Sequence, residues 1–493
     1  MKDNIRLNQK NLGLLPKHIP RPTYDRSKVK TGIVHIGVGG FHRAHEAFYT
    51  DQLLAHHHSF DWGICGIALL ERDRKIYETL RSQDGLYTLM VTQADGSLSA
   101  RIIGSIVAYL FAPGNPQQVI RKIADPSVRM LTLTITEGGY NFDPSSGAFQ
   151  LDTPDIQWDL NHPKCPRTVF GYVAAALQLR RKQNLPLTIQ SCDNIQQNGE
   201  VAKNMFLSFM KEVDIGLADW VENNIAFPNS MVDRITPATS AADKENLLKQ
   251  YGIVDEWPVI TESFYQWVIE DRFTGGRPAW DLAGAQFVPD VHPYEKLKIR
   301  LVNGGHSLLG LTGYLAGYEY IDEAAQDPSL NRLLKQYMDM EVTPILDEIP
   351  GVDLNNYKHA VAERFANPFI KDNVRRIMLE SSAKIPKFIL PTIEEQLMAG
   401  GPLRRCVTVV AAWYCYLELI VTRGDVEQIE DAMSAILVEK IKESMVRSPL
   451  IFLEIERIFG KLAQSDHFRD VFLQIVGRIR KEGILSTIEL ELE

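Results

Sequence analysis

The five cysteines of this 493-residue chain (Cys65, Cys165, Cys192, Cys406, Cys415) are odd in number, scattered, and never in C-x-x-C spacing. This argues against a disulfide framework or a structural zinc site, and it predicts reduced thiols in a cytoplasmic protein. The chain also lacks a basic excess. A net charge of −9 leaves nothing to neutralise a run of phosphates, which argues against nucleic acid as a partner. No uninterrupted apolar stretch approaches the roughly 20 residues that span a bilayer. The opening MKDNIRLNQKNLGLLPKHIP has no signal-peptide core. No repeat or low-complexity tract is present. With these absences the chain reads as soluble.

The composition is that of a globular protein, 45% hydrophobic and 23% charged, and the chain is too long for one ordinary core. Strand-like and helix-like segments alternate through its first half. GIVHIGV, WGICGIAL, RMLTLTIT and LTIQSC are short and apolar, separated by helical stretches such as PQQVIRKIAD and TVFGYVAAALQLRRKQ. That alternation predicts an α/β domain with a parallel sheet covered on both faces. After about Pro293 helical periodicity dominates. The expected organisation is a Rossmann-type domain over residues 1–285 and a largely α-helical domain over 286–493.

The first strand runs into glycines in TGIVHIGVGGFHRAHEAFYTDQLL, Thr31 to Leu54. Gly37 and Gly39 stand where a dinucleotide fingerprint has its first two glycines, one for the tight turn and one for close approach of a pyrophosphate. A helix starting near Gly40 or Phe41 would offer backbone N–H groups to that anion. Arg43, unfavourable in the first turn of an isolated helix, fits there if a phosphate is its neighbour. His42 replaces the third glycine and implies different helix–strand packing. His42 and His45 are three apart but lack the other ligands of a metal site, so no metal is expected. After the second strand, Asp73 is the expected ribose contact and favours NAD, Glu71 being a solvated loop charge. Arg72 and Arg74 leave NADP open.

The second informative stretch is YEKLKIRLVNGGHSLL, Tyr294 to Leu309. On an ideal helix Glu295, Lys298, Asn303 and His306 share about 140° of arc. Asn, His and Gly-Gly are mediocre helix formers, unlike the Glu and Lys of a solvated face, and Gly304 and Gly305 suggest a close neighbour. A lysine desolvated there is a candidate general base, with Asn303 as a donor to an alkoxide or carbonyl oxygen.

Lys298, Asn303 and His306, in K-x4-N-x2-H spacing, together with GVGGFHRAH, resemble the polyol-specific long-chain dehydrogenase/reductase family. TEGGY (Thr136 to Tyr140), SCDN (Ser191 to Asn194), FPNSMVDRITP, QWVIEDRF with GRPAW, and SSAKIPKF occur in family order. The resemblance implies a Rossmann-type domain, a helical domain, a cleft between them, and metal-independent hydride transfer between a polyol carbon and NAD(P). It implies Lys298 as acid/base, Asn194 and Asn303 polarising the reacting oxygen, and His306 binding a substrate hydroxyl. Asp233, Arg376 and Lys384 would hold further hydroxyls, with Lys387 an alternative to Lys384. Gly37, Gly39, Gly40, Phe41, Arg43, Asp73, Thr136 and Glu137 would contact the cofactor, and Glu137 and Glu295 are candidates to relay protons. GGFHRAH, TEGGY and KIPKF are similar to the mannitol/fructose side of the family. A hexuronate reductase, an arabinitol dehydrogenase and, from another class, a non-catalytic dinucleotide sensor are the alternatives. A monomer is compatible with the family's longer members.

Overall fold

The structure is a computed structural model and describes residues 4–93, 95–143 and 147–492. The chain divides into two compact units, Met1–His292 and Pro293–Glu493. The strand Gln286–Val288 belongs to the first unit because it pairs in parallel with Val268–Glu270.

At the centre of the first unit are six parallel strands. They are β1 (Thr31–Ile36), β2 (Gly63–Ala68), β3 (Ile106–Phe111), β4 (Met130–Leu133), β5 (Leu187–Ser191) and β6 (Ile225–Ala226). Their order across the sheet is 3-2-1-4-5-6. That is the doubly wound dinucleotide-binding order, which reverses direction between β1 and β4. Alternate side chains serve opposite layers. Val34, Ile36, Cys65, Ile67, Leu131 and Leu133 enter one core with the helices Pro116–Ala124 and Val169–Arg181. Ile33, Ile64 and Met130 enter the other with Phe48, Tyr49, Trp267 and Trp280. Burial on both faces explains why these strands are continuously apolar.

The second unit is helical, and no strand of the named sheets lies in it among the described residues. The helix Arg404–Arg423 is its axis, with Cys406 to Leu417 buried throughout. By length and hydropathy this helix is able to cross a membrane. Its most apolar window is 72% buried inside the unit, which makes it a core helix.

Candidate active site

In the first unit the glycine turn lies at the point where the strand order reverses. Gly37 has φ +96°, and a Cβ there would overlap the carbonyl oxygen of Thr134, at the end of β4. Only glycine satisfies both conditions. Gly39 N–H donates to Gly37 O at 2.7 Å and Thr134 Oγ1 donates to the same carbonyl at 2.6 Å, so the turn is tied to the neighbouring strand. A Cβ on Gly39 would meet nothing closer than Gly37 O at 3.8 Å, and Gly40 is almost as open. Open space, glycine backbone and the first N–H groups of a helix suit a pyrophosphate, so the turn fits a dinucleotide.

That helix, α1 (Gly40–Ala44), breaks at His45 and resumes as α2 (Glu46–His57). Beneath the turn is a closed polar cluster. His42 stacks on His35 with ring centroids 3.4 Å apart and 16° between planes. Glu46 Oε2 lies 3.0 Å from His35 Nδ1 and 3.2 Å from His42 Nδ1. Thr132 Oγ1 donates to Glu46 Oε1 at 2.9 Å, and His35 reaches Thr132 Oγ1 at 2.8 Å and Thr134 Oγ1 at 3.0 Å. His42 thus fills the packing position left by the missing third glycine.

Burial, with His35 adding to it, pushes His42 down to about 4, so it is neutral at pH 7. Burial works against the charge of Glu46 as well, but the two imidazoles outweigh it and hold the carboxyl below its ordinary range. His35, His42 and Glu46 are close enough together to be compared with a metal site. The near-parallel rings speak against one: an ion midway between the two Nδ1 atoms would lie well outside both ring planes, where imidazole has no lone pair. The partners of His42 are therefore His35 and Glu46. His45 instead bonds to Gln266 O at 2.9 Å and is also depressed to about 4 by burial.

Arg43 differs from the expectation of an open cation facing phosphate. Its guanidinium is buried against the Tyr87 ring and bonds to the carbonyls of Gly39 and Trp257. Its reach to an anion is through the turn it braces. Asp73 sits in the turn after β2, half-buried, with Oδ2 accepting from Leu70 N at 2.9 Å. Glu71 is exposed and pairs with Arg74 at 2.6 Å, and Arg72 is exposed.

TEGGY and SCDN meet at the ends of β4 and β5. Thr136 has φ +62°, a left-handed conformation that costs a β-branched residue about 1–3 kcal/mol. Asp193 holds it there, accepting from Thr136 N at 2.8 Å, Ile135 N at 3.1 Å and Tyr140 Oη at 2.8 Å. Glu137 and Asn194 are exposed on the same edge, and Asp233 is buried at the end of the strand Ser230–Asp233. Cys192 is buried, and its thiol is pushed up by that burial, as suits a packing residue.

In the second unit the polar helix is interrupted. His292–Lys298 is α-helical, Ile299–Asn303 is a π turn, and Gly304–Ala316 is α-helical again. The ideal 100° spacing therefore fails between Lys298 and Asn303, because the wider turn rotates the residues beyond it. Glu295 and Lys298 are buried, while Asn303 and His306 are half-buried. The close neighbour that the paired glycines suggested is Tyr337. Gly304 N–H reaches back five residues to Ile299 O, and Tyr337 Oη donates to Arg300 O at 2.7 Å. A Cβ on Gly304 would collide with that hydroxyl.

His306 and Arg376 are brought together by Asp372. Arg376 Nε and Nη2 donate to the two oxygens of Asp372, each at 2.6 Å. His306 Nε2 lies 3.2 Å from Asp372 Oδ2. Burial lowers His306 despite that carboxylate. Burial alone would raise Asp372, but His306 and Arg376 together hold it below its ordinary range. Lys384 Nζ donates to Ile377 O at 3.0 Å. Glu46, Asp193, Tyr337 and Asp372 are absent from the sequence-based set. Two of them carried a signal, since Glu46 comes four residues after His42, and Asp372 four before Arg376, the spacing of neighbours on one helical face.

Two family matches cover most of the chain. Residues 31–282 match the mannitol dehydrogenase Rossmann domain, and 290–479 match the mannitol dehydrogenase C-terminal domain. A mannitol 2-dehydrogenase of Phaeosphaeria nodorum is 45% identical over 489 residues, covering 98% of this chain and 85% of that protein. Among solved structures, the ternary complex of Pseudomonas fluorescens mannitol 2-dehydrogenase with NAD and D-mannitol is similar at a TM-score of 0.89. It is 40% identical, with 99% of each chain covered. A D-sorbitol dehydrogenase in substrate-free form gives 0.87 at 36% identity, over 98% of this chain and 100% of that one.

Proposed function

Because this chain belongs to the mannitol dehydrogenase family, and is an NAD-dependent oxidoreductase interconverting a polyol and a ketose, we propose that mannitol and fructose are its substrates. The observation that carries this choice is the similarity, over nearly the full length, to an enzyme solved with NAD and D-mannitol. A hexuronate reductase is not favoured by any of these relatives.

The dinucleotide belongs to the first unit, at the Gly37 turn. Bound there, NAD supplies the hydride acceptor. Gly37 shapes the turn, Gly39, Gly40 and Phe41 receive the pyrophosphate, and Arg43 braces them from behind. Asp73 takes the ribose hydroxyls with the oxygen that Leu70 N leaves free for it, and Thr136 and Glu137 line the same edge.

Lys298, from the second unit, acts as the general base in oxidation. It is buried, and a base in this role acts as the neutral amine. It takes the proton of the reacting hydroxyl as the C–H electron pair leaves as hydride. In the reverse direction it returns a proton to the ketose oxygen. Asn194 and Asn303 donate to that oxygen as charge develops on it. His306 orients a neighbouring hydroxyl, and Asp233, Arg376 and Lys384 hold the rest of the chain. Glu295, buried one turn before Lys298, passes the proton onward. The five free cysteines fit a reducing compartment, and we place the enzyme in the cytoplasm as a monomer.

Nicotinamide absorbance with mannitol, arabinitol, fructose and fructuronate, each with NAD and with NADP, tests the reading. Turnover of mannitol and fructose with NAD, unchanged by EDTA, is expected. Tight NADH binding with no turnover of any polyol or ketose would overturn it in favour of a dinucleotide sensor.

A further inference from the structure

Arg376 and Lys384 are two cations assigned to the far end of the substrate, an arrangement that would suit a carboxylate as readily as a hydroxyl. The structure removes much of that ambiguity at Arg376. The guanidinium is half-exposed, at 51%, while its partner Asp372 is 6% exposed and gives both oxygens to it. A bidentate pair of this kind fixes the plane of the guanidinium and leaves Nη1 outside the clamp. The third member, His306, lies 3.2 Å from the same carboxylate. The permanent charges of the cluster are one cation, Arg376, and one anion, Asp372.

Resting on the polyol assignment above, we propose that Asp372 is a positioning and specificity-determining residue. It orients Arg376 and His306 toward substrate hydroxyls, and its charge makes their end of the site unfavourable to a carboxylate. A neutral hydroxyl accepts from Nη1 at no electrostatic penalty. A carboxylate approaching the same edge meets, besides the arginine, a buried anion already bonded to it, whose field is poorly screened by solvent. Discrimination then comes from a repulsive element as much as from an attractive one.

The test compares wild type, Asp372→Asn, Asp372→Glu and Arg376→Gln in mannitol oxidation, with gluconate as an anionic competitive inhibitor. Asp372→Asn should raise the mannitol KM tenfold or more, with a smaller change in kcat, and should lower the gluconate inhibition constant at least tenfold. Asp372→Glu, which keeps the charge, should stay near the wild-type selectivity. Arg376→Gln, a change at a half-exposed side chain, should raise the mannitol KM without improving gluconate binding. An unchanged gluconate constant in Asp372→Asn would overturn the proposal. So would an unchanged mannitol KM in Arg376→Gln, which decides the matter if the buried substitution fails to fold. Absence of polyol turnover in the wild-type enzyme is a different result, and it refutes the functional reading itself.

Discussion

The hydroxyl of Tyr337 occupies the space that a side chain at position 304 would need, and from there it bonds to Arg300 O at 2.7 Å. The π turn between Lys298 and Gly304 and the glycine at its end are thus parts of one arrangement. Gly304→Ala should destabilise the second unit by about 1–3 kcal/mol, the usual cost of overpacking, and lower kcat as the turn shifts. Tyr337→Phe alone should cost about 1 kcal/mol for the lost hydrogen bond. Combined, the two changes should cost less than their sum, because the phenylalanine vacates the contested space. Thermal unfolding of the four proteins measures this, and strict additivity would separate the two residues.

Lys298 is buried on the turn before that distortion. Lys298→Ala is expected to lower kcat for polyol oxidation by about 10²–10⁴, the range for loss of a positioned acid/base group. NADH affinity, read by fluorescence, should be nearly unchanged, since the dinucleotide belongs to the other unit. In the wild-type enzyme oxidation should rise with pH as the lysine loses its proton. An alanine variant with normal turnover would remove Lys298 from this role.

Acid should destabilise the first unit through its buried histidines. His42 and His45 are both depressed from 6.5 to about 4, so between those values the unfolded chain binds two protons that the native state refuses. Stability therefore rises with pH across this window and falls on acidification, by about 1.4 kcal/mol per pH unit for each proton. Glu46 acts in a lower range, where its depressed carboxyl finally takes up a proton. Urea unfolding of the wild type from pH 7 to 4 should show this slope, and His42→Asn should reduce it by about one proton. A flat profile would contradict the burial of neutral rings.

The fold is readable because its signals are local. Four apolar strands separated by helical stretches predict a covered parallel sheet, and β1, β2, β4 and β5 appear where GIVHIGV, WGICGIAL, RMLTLTIT and LTIQSC stand. The glycine turn is equally legible, since Gly37 has a conformation that other residues rarely adopt. Partners brought from a distance escape such a reading. Tyr337 lies 37 residues from the carbonyl it bonds, and Thr132 lies 86 residues from Glu46. No periodicity encodes such pairs. The angular relation between Lys298 and Asn303 fails for another reason, because a helical wheel assumes a uniform turn and the chain does not supply one there. In the sequence Arg43 reads as an open cation, since a charge near a phosphate site suggests attraction, whereas carbonyl oxygens inside the fold claim it first.

The glycine turn is closed by Gly39 N–H and Thr134 Oγ1, with the His35–Glu46 cluster beneath it, and all of these bonds lie within the protein. The recognition surface for the dinucleotide backbone is consequently preassembled, and little chain has to be ordered when it is occupied. Selection has little freedom to retune the cofactor from within that turn. The exposed Arg72 and the half-buried Asp73, on the turn after β2, carry no comparable constraint. A lineage changing its nicotinamide nucleotide would be expected to vary there first, while the turn itself stays as it is.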